Sequence, residues 1–323
     1  MATILVTGAT GFVGRRVAPA LAAAGHEVRC ASREPDKARQ RWPRLTWVHA
    51  DVAEEASTRE AMAGCDAALY LVHAIGEGGD FRQQEVDTAA AFARAAEAAK
   101  VRRIVYLGGV APAGKASAHL QSRLDVGKTL RAGRVPTIEL RASMIVGHGS
   151  QSWTIVRDLA ARLPVMILPR WLESRTEPVA VDDIVAALVG AVALPDEGSA
   201  VFDVPGPEVM TGKQILERTA QVMGLPRAAM LKVPLLSPKL SSYWVHFVTR
   251  AEWKVARELV LGLKGDLLAR DDAYWRRIGH AQRLGFDEAA RRALAEEHAH
   301  GDEPGGTWAV VERALEQRGT PGR

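Results

Sequence analysis

Three glycines spaced three apart, Gly8, Gly11 and Gly14, stand directly behind the apolar run Ile4-Leu5-Val6-Thr7 and directly ahead of a helix-forming stretch, Arg15 to Ala24. A strand that turns sharply into a helix gathers free backbone N–H groups and the positive end of a helix dipole at one point, and that point attracts phosphate. In such a turn Gly8 allows the tight bend, Gly11 a close approach of backbone to pyrophosphate, and Gly14 close packing of helix on strand. Thr10, Phe12 and Val13 complete the same loop. A loop that is merely rich in glycine would account for the residues but not for their place between two strand signals, at residues 3–7 and 27–31. The chemistry implied is dinucleotide binding.

The second strand signal ends in Cys30-Ala31-Ser32-Arg33, with no carboxylate before Glu34. An acid at that point bonds the ribose hydroxyls of NAD, whereas a guanidinium forms paired hydrogen bonds with the 2′-phosphate of NADP. Ser32 and Arg33, with Lys37 one turn on, therefore favour NADP(H), although a solvated loop charge would also explain Arg33 alone. Asp51 and Val52 follow the third strand signal and are placed to reach the adenine.

Positioning these residues requires a repeating scaffold, and the chain supplies one. Strand signals recur at residues 3–7, 27–32, 45–49, 67–73, 103–107, 137–146 and 200–204, with helical stretches between them such as the alanine-rich Asp87–Lys100. The alternation predicts an α/β fold with a doubly wound, mainly parallel Rossmann sheet. Ligands of such sheets bind beyond the carboxyl ends of the strands, so Val72-His73-Ala74 and Leu107-Gly108 are further expected cofactor contacts. Residues 1–205 form the expected NADP-binding domain. From residue 206 the prolines at 205, 207, 226, 234 and 238 divide the chain, and Tyr243 to Val248 and Trp253 to Leu263 offer an aromatic and aliphatic surface. Residues 206–323 are thus expected to form a small, mainly helical lobe over the nucleotide, packing on the first domain. His298–Gly306 reads as a loop and Thr307–Gln317 as one more helix.

The chain of 323 residues, 47% of them hydrophobic, is long enough for a full core. No apolar run reaches the roughly 18–20 residues of a membrane span, and no signal-peptide pattern precedes the first strand. The formal charge of +4 comes from arginines scattered along the chain, without the basic stripe that nucleic acid requires. Cys30 and Cys65 lie in apolar contexts and read as buried free thiols of a cytoplasmic protein, and no Cys/His cluster suggests a metal. The expected partner is a small-molecule substrate, with the oligomeric state left open.

The glycine turn, Asp51-Val52, the strand ending Leu71-Val72-His73-Ala74, RRIVYLGG at 102–109, ELRASMIVG at 139–147, PVAVDDI at 178–184 and the late strand followed by Pro205-Gly206-Pro207 together resemble the short-chain dehydrogenase/reductase superfamily in its extended and atypical branches. The chain is most similar there to the atypical NAD(P)H-binding group that holds bacterial sugar-epimerase-like proteins and the nucleotide-binding accessory subunit of respiratory complex I. HLQSRLDVGKTL, LPVMILPRW, LSSYWV and LGFDEAARRAL also resemble the bacterial subgroup. Active members of the superfamily carry Tyr-x-x-x-Lys, in which the lysine lowers the tyrosine's pKa and holds the nicotinamide ribose. Lys128 is preceded four residues earlier by Leu124, so the resemblance implies a ribose-binding lysine without its tyrosine. Gly108-Gly109 stand where a serine or threonine would orient a carbonyl, and Tyr106 is expected to face the core. The remaining candidate proton donors are His119, Ser122 and His73, or the substrate or water itself where hydride goes to a conjugated acceptor. Arg141, Arg175 and Asp182 match positions the superfamily uses, but structural ion pairs explain them equally.

The function expected from the sequence is that of an NADP(H)-dependent atypical short-chain oxidoreductase. It would act on a small or medium, largely apolar carbonyl or enone compound without the usual Tyr-x-x-x-Lys pair. The competing expectation is a non-catalytic NADP(H)-binding redox sensor or assembly protein. Sugar-nucleotide epimerisation is disfavoured by the missing tyrosine and the apolar second lobe.

Overall fold

A computed structural model of the chain describes residues 1–73, 81–114, 116–162, 165–168, 170–195, 197–225, 229–232 and 265–301. Strands and helices alternate from the start: β1 (Thr3–Val6), α1 (Gly14–Ala23), β2 (Glu27–Ser32), α2 (Pro35–Arg41), β3 (Thr46–His49), α3 (Glu55–Ala61) and β4 (Ala67–Tyr70). Then come α4 (Phe81–Ala98), β5 (Arg103–Gly109), α5 (Ala118–Ala132) and β6 (Thr137–Ala142), and later α7 (Val181–Ala193) and β11 (Ala200–Asp203). Seven strands pair in parallel in the order β3-β2-β1-β4-β5-β6-β11. This is the doubly wound Rossmann sheet that the alternation predicts.

The central strands are apolar at successive positions because both their faces are covered. Ile4, Val6, Val105 and Leu107 point into one core with Val17, Leu21, Ile184 and Leu188 from α1 and α7. Leu5, Ala68, Tyr70, Ile104 and Tyr106 point into the other, with Phe92, Ala96, Val126 and Leu130 from α4 and α5. The alanines of α4, fully buried at Ala89, Ala95 and Ala96, let helix and sheet approach closely.

The strand order reverses between β1 and β4, where ligands of this fold bind. A single side chain joins the two strand ends there. The Thr7 hydroxyl donates to the Leu69 carbonyl (2.8 Å) and accepts from the Leu71 amide (3.3 Å).

The apolar run 137–146 is not one strand, as its composition suggests, but two. Its first part is β6; its second, β7 (Ile145–Val146), leaves the sheet and pairs with β10 (Val179–Ala180). The break falls where the chain crosses the end of the sheet, with the Ser143 hydroxyl donating to the Glu177 carbonyl (2.9 Å). Beyond β7 lie α6 (Gln151–Arg162), β8 (Val165–Leu168), a 3-10 turn (Arg170–Glu173) and β9 (Arg175–Thr176), the last paired with β12 (Met210–Thr211) ahead of α8 (Gly212–Val222). β13 (Ala229–Lys232) pairs with β8.

Two late helices, α9 (Ala273–Arg277) and α10 (Phe286–His300), pack onto these elements. Buried Tyr274 donates to the Ala187 carbonyl (2.7 Å) and the Trp275 indole to that of Pro205 (3.0 Å), so α9 belongs to the same core as the sheet. The expected loop at 298–306 is helical at its start, because α10 runs to His300 and ends only at Gly301, whose φ of +70° closes the helix. The aromatic stretch 243–248, residues 253–263 and the helix expected at 307–317 lie outside the described residues.

Candidate nucleotide and substrate cleft

The glycine turn has the form its spacing implies. Gly8 has φ +64°, and a Cβ there would stand 2.6 Å from the Leu71 carbonyl oxygen; one on Gly14 would stand 2.2 Å from that of Gly8. Neither position admits a side chain. Gly11 donates to the Gly8 carbonyl (2.9 Å), and an added Cβ there would meet only that oxygen, at 3.1 Å, leaving its other side open. Val13 caps α1 without a side-chain bond and the first turn holds no acid, so the orphan amides of that turn face no competing carboxylate. Phe12, Val13, Gly8, Gly11 and Gly14 all line one cleft, and the set fits a pyrophosphate. Thr10 is exposed on the turn and is not among the lining residues.

At the adenosine end β2 and β3 finish side by side, with Ser32 opposite His49. The Ser32 hydroxyl accepts from the Glu34 amide (3.1 Å), and Lys37 is paired with Glu34. Arg33 is exposed and has no ion pair among the described residues. The Asp51 carboxylate accepts from the Ala53 amide (3.0 Å) and so closes its own turn beside the half-buried Val52.

The end of the cleft at α5 differs from the expectation. The cleft, about 600 Å³, is walled there by the first turns of α5, through Ser117, His119, Leu120 and Arg123. Ser117 caps the helix by accepting from the Leu120 amide (3.3 Å). Lys128 is not in this wall. It is exposed in a separate groove between α4 and α5, beside Arg82, Asp125 and Thr129. The cause is the helix period: Gly127 abuts the sheet, where an added Cβ would stand 2.5 Å from the Glu139 carboxylate, so the inward row on α5 runs 120, 123, 127. Residues 124 and 128 are rotated away from that row by one residue's turn. Ser122 is also withdrawn from the cleft; it is fully buried and donates to the Glu85 carboxylate.

The pair that faces the cleft one helical turn apart is thus His119 and Arg123. Arg123 was not singled out by the sequence, although the spacing His-x-x-x-Arg was legible in it. Its guanidinium donates to the Leu107 carbonyl (3.0 Å) and lies over Gly109, while its buried Nε has no partner among the described residues. Gly109 rather than Gly108 lines the cleft, because successive residues of β5 face opposite ways and Gly108 faces Tyr106 and Glu139. A Cβ at 109 would stand 2.7 Å from Leu120 Cδ1, so a hydroxyl residue there would require the end of the Leu120 side chain to shift.

His73 joins the pair from the end of β4; its Nε2 lies 3.3 Å from the Leu107 carbonyl and its buried Nδ1 has no partner. Burial first, and then the Arg123 charge, hold His73 well below the ordinary histidine range and bring His119 down to about 4. Both imidazoles are neutral near pH 7. Val72 is half-buried and lies outside the lining set, and Ala74 lies outside the described residues. Tyr106 is no substitute donor: it is fully buried, donates to the Arg123 carbonyl (2.9 Å), and burial pushes its phenol up to about 12. Arg141, Arg175 and Asp182 form ion pairs with Glu139 (2.8 Å), Asp266 (2.6 Å) and Arg292 (3.0 Å). Cys30 and Cys65 are free and buried.

Residues 8–161 match the model of the NAD(P)H-binding family. With the parallel sheet and glycine turn, this match gives the chain an NAD(P)H-binding domain of Rossmann fold. It is similar to reductases. One, the (4-alkanoyl-5-oxo-2,5-dihydrofuran-3-yl)methyl phosphate reductase of Streptomyces griseus, is 29% identical over 69% of this chain and 74% of its own. Another, the ceramide reductase of Caulobacter vibrioides, is 29% identical over 72% of this chain and 74% of its own. Among solved structures, the Citrobacter sp. triphenylmethane reductase complexed with NADP(H) shares the fold with a TM-score of 0.71 at 18% identity, covering 90% of this chain and 100% of that one. A nucleoside-diphosphate-sugar epimerase from Staphylococcus aureus does so with a TM-score of 0.70 at 15% identity, covering 90% and 99%. Among the described residues no helix is long and apolar enough to cross a membrane.

Proposed function

We propose that the protein is an NADP(H)-dependent reductase of a largely apolar carbonyl or enone compound, with His119 and Arg123 in place of the tyrosine and lysine. The observation that carries this reading is the cleft-facing pair itself, one turn apart on α5, with a buried Arg123 N–H that has no partner among the described residues beside Gly109. The reductase names of the two relatives support the reaction class. NADP(H) is favoured by Ser32 and the unpaired Arg33 at the end of β2. The two buried free cysteines suit a cytoplasmic setting.

A dinucleotide held at Gly8, Gly11 and Gly14 would supply a hydride for the electrophilic carbon. His119, neutral at working pH, donates its ring N–H to the carbonyl oxygen, as a neutral imidazole does when burial keeps it from protonating. Negative charge that grows on that oxygen is stabilised by the fixed Arg123 cation in a site of low dielectric. The proton passes from His119 to the oxygen, and water restores it to the ring. Lys128 takes no part.

The test is a screen of aldehydes, ketones, quinones and enones with purified protein, following NADPH absorbance. On any compound turned over, His119→Ala should lower kcat by ~10²–10⁴ while NADPH affinity stays nearly constant. Tight NADPH binding with no turnover on any of them would replace this reading with that of a redox sensor or assembly protein, which the absent tyrosine also favours.

A further inference from the structure

Past His119 and Arg123 the cleft continues between α6 and α8. Its walls there are Ile155, Val156 and Leu159 from α6, Leu172, and Ile215 and Leu216 from α8. Every one is aliphatic, and no charged residue is described along this arm. A stretch lined by six aliphatic side chains, with no aromatic face or charge described along it, matches hydrocarbon better than a sugar, a nucleotide or a second phosphate.

Polar side chains enter the cleft at Ser150, Gln151 and Ser152, where α6 begins, and at Thr176 on β9. Thr176 is 3% exposed, and its buried hydroxyl has no hydrogen-bond partner among the described residues. A hydroxyl left unsatisfied among aliphatic side chains costs free energy, and in a binding site such a group commonly awaits a ligand's oxygen. The backbone on either side of it is held, by β12 through Met210 and by the bridge to Leu267, so the hydroxyl is a fixed feature of the arm.

We propose that this arm holds an aliphatic chain of the substrate, and that Thr176 hydrogen-bonds to one oxygen function on that chain. The inference rests on the reductase reading for its orientation, since the carbonyl to be reduced lies at His119 and the chain runs away from it toward Thr176. It adds a substrate class: a chain-bearing, singly oxygenated lipid-like carbonyl compound rather than a compact ketone.

Two measurements separate this inference from the reading it rests on. The first is calorimetric binding of straight-chain 1-alkanols, C4 to C12, to the NADPH-loaded protein, which needs no turnover. Affinity should rise by ~3–4-fold for each methylene, the equivalent of ~0.8 kcal/mol, until the arm is full. Leu216→Trp should bring the plateau to shorter chains without changing NADPH affinity. Affinity that does not change with chain length overturns the inference. The second is turnover of 2-alkanones of the same lengths, in which kcat/KM should follow the same rise. Alkanols that bind with the expected rise, beside alkanones that are not reduced, would refute the reductase reading and leave the arm assigned to a chain. For the hydroxyl, Thr176→Val should raise Tm in the ligand-free protein and weaken alkanol binding by about tenfold. A lower Tm together with unchanged alkanol affinity would remove Thr176 from the proposal.

Discussion

The two ends of the cleft are built from different parts of the polypeptide. At the glycine turn the working atoms are backbone amides, and the side chains matter by their absence: a Cβ on Gly8 or Gly14 would stand within 2.6 or 2.2 Å of a main-chain oxygen. At the first turns of α5 the backbone is ordinary helix, and the chemistry is carried by whichever side chains occupy the inward row. A site made of backbone leaves little choice of residue and so keeps a recognisable sequence. A site made of side chains on a helix constrains only the face presented, and here that face brings His119 and Arg123 to the cleft.

This contrast is broken most directly at Gly11. Its open side faces the cleft, so Gly11→Val should abolish measurable NADPH binding while circular dichroism and Tm stay close to those of the unmodified protein. Normal binding by that variant would mean that the phosphates lie elsewhere. At the other end, Arg123→Ala should lower kcat on any accepted carbonyl by ~10²-fold or more, the scale of losing one preorganised charge-stabilising donor. Arg123→Lys should restore part of it.

A smaller effect is expected at Arg33. Arg33→Ala should weaken NADPH binding by ~10–100-fold and leave NADH unaffected, as expected for the loss of a charge-assisted contact. Equal affinity of the unmodified protein for the two cofactors in calorimetry would refute the assignment of NADP(H).

Acid should act on the side-chain end before the backbone end. His119 is held near 4 in the folded protein against 6.5 when free, and His73 is lowered as well. The unfolded chain therefore binds more protons between those values. This part of the stability is complete above about pH 6.5 and is lost as pH falls toward 4. Tm measured from pH 8 to 4.5 should fall in that window, and His119→Gln should flatten the fall. The smallest effect is expected at Lys128: Lys128→Ala should leave NADPH affinity and kcat within about twofold, as for an exposed surface residue. A large loss in that variant would return the ribose-binding role to Lys128 and overturn the register described for α5.

The sheet and the turn were legible because parallel strands covered on both faces read as short apolar runs, and because Gly8 and Gly14 have no substitutes. The cleft-facing pair on α5 was harder to read. Anchoring on the lysine led to Leu124 and Lys128, which share a helix face, but not the inward one. What turns α5 is the contact between Gly127 and buried Glu139, a residue on another strand, and no local pattern in α5 encodes it. The break at Ser143 was hidden for a similar reason. Residues 137–146 are uniformly strand-like, and the change of sheet is imposed by the Glu177 carbonyl, 34 residues away. Thr176 carries no signal of its own in sequence, since only burial without a partner sets it apart.

The tight seat of Leu120 on Gly109 also limits how the chemistry of this chain could change. A hydroxyl residue at position 109 would have to push the end of the Leu120 side chain aside, and Leu120 itself lines the cleft. Shortening Leu120 alone would widen the cleft at that point. Positions 109 and 120 are therefore coupled: a hydroxyl introduced at 109 should be accommodated more easily together with a smaller residue at 120 than beside leucine.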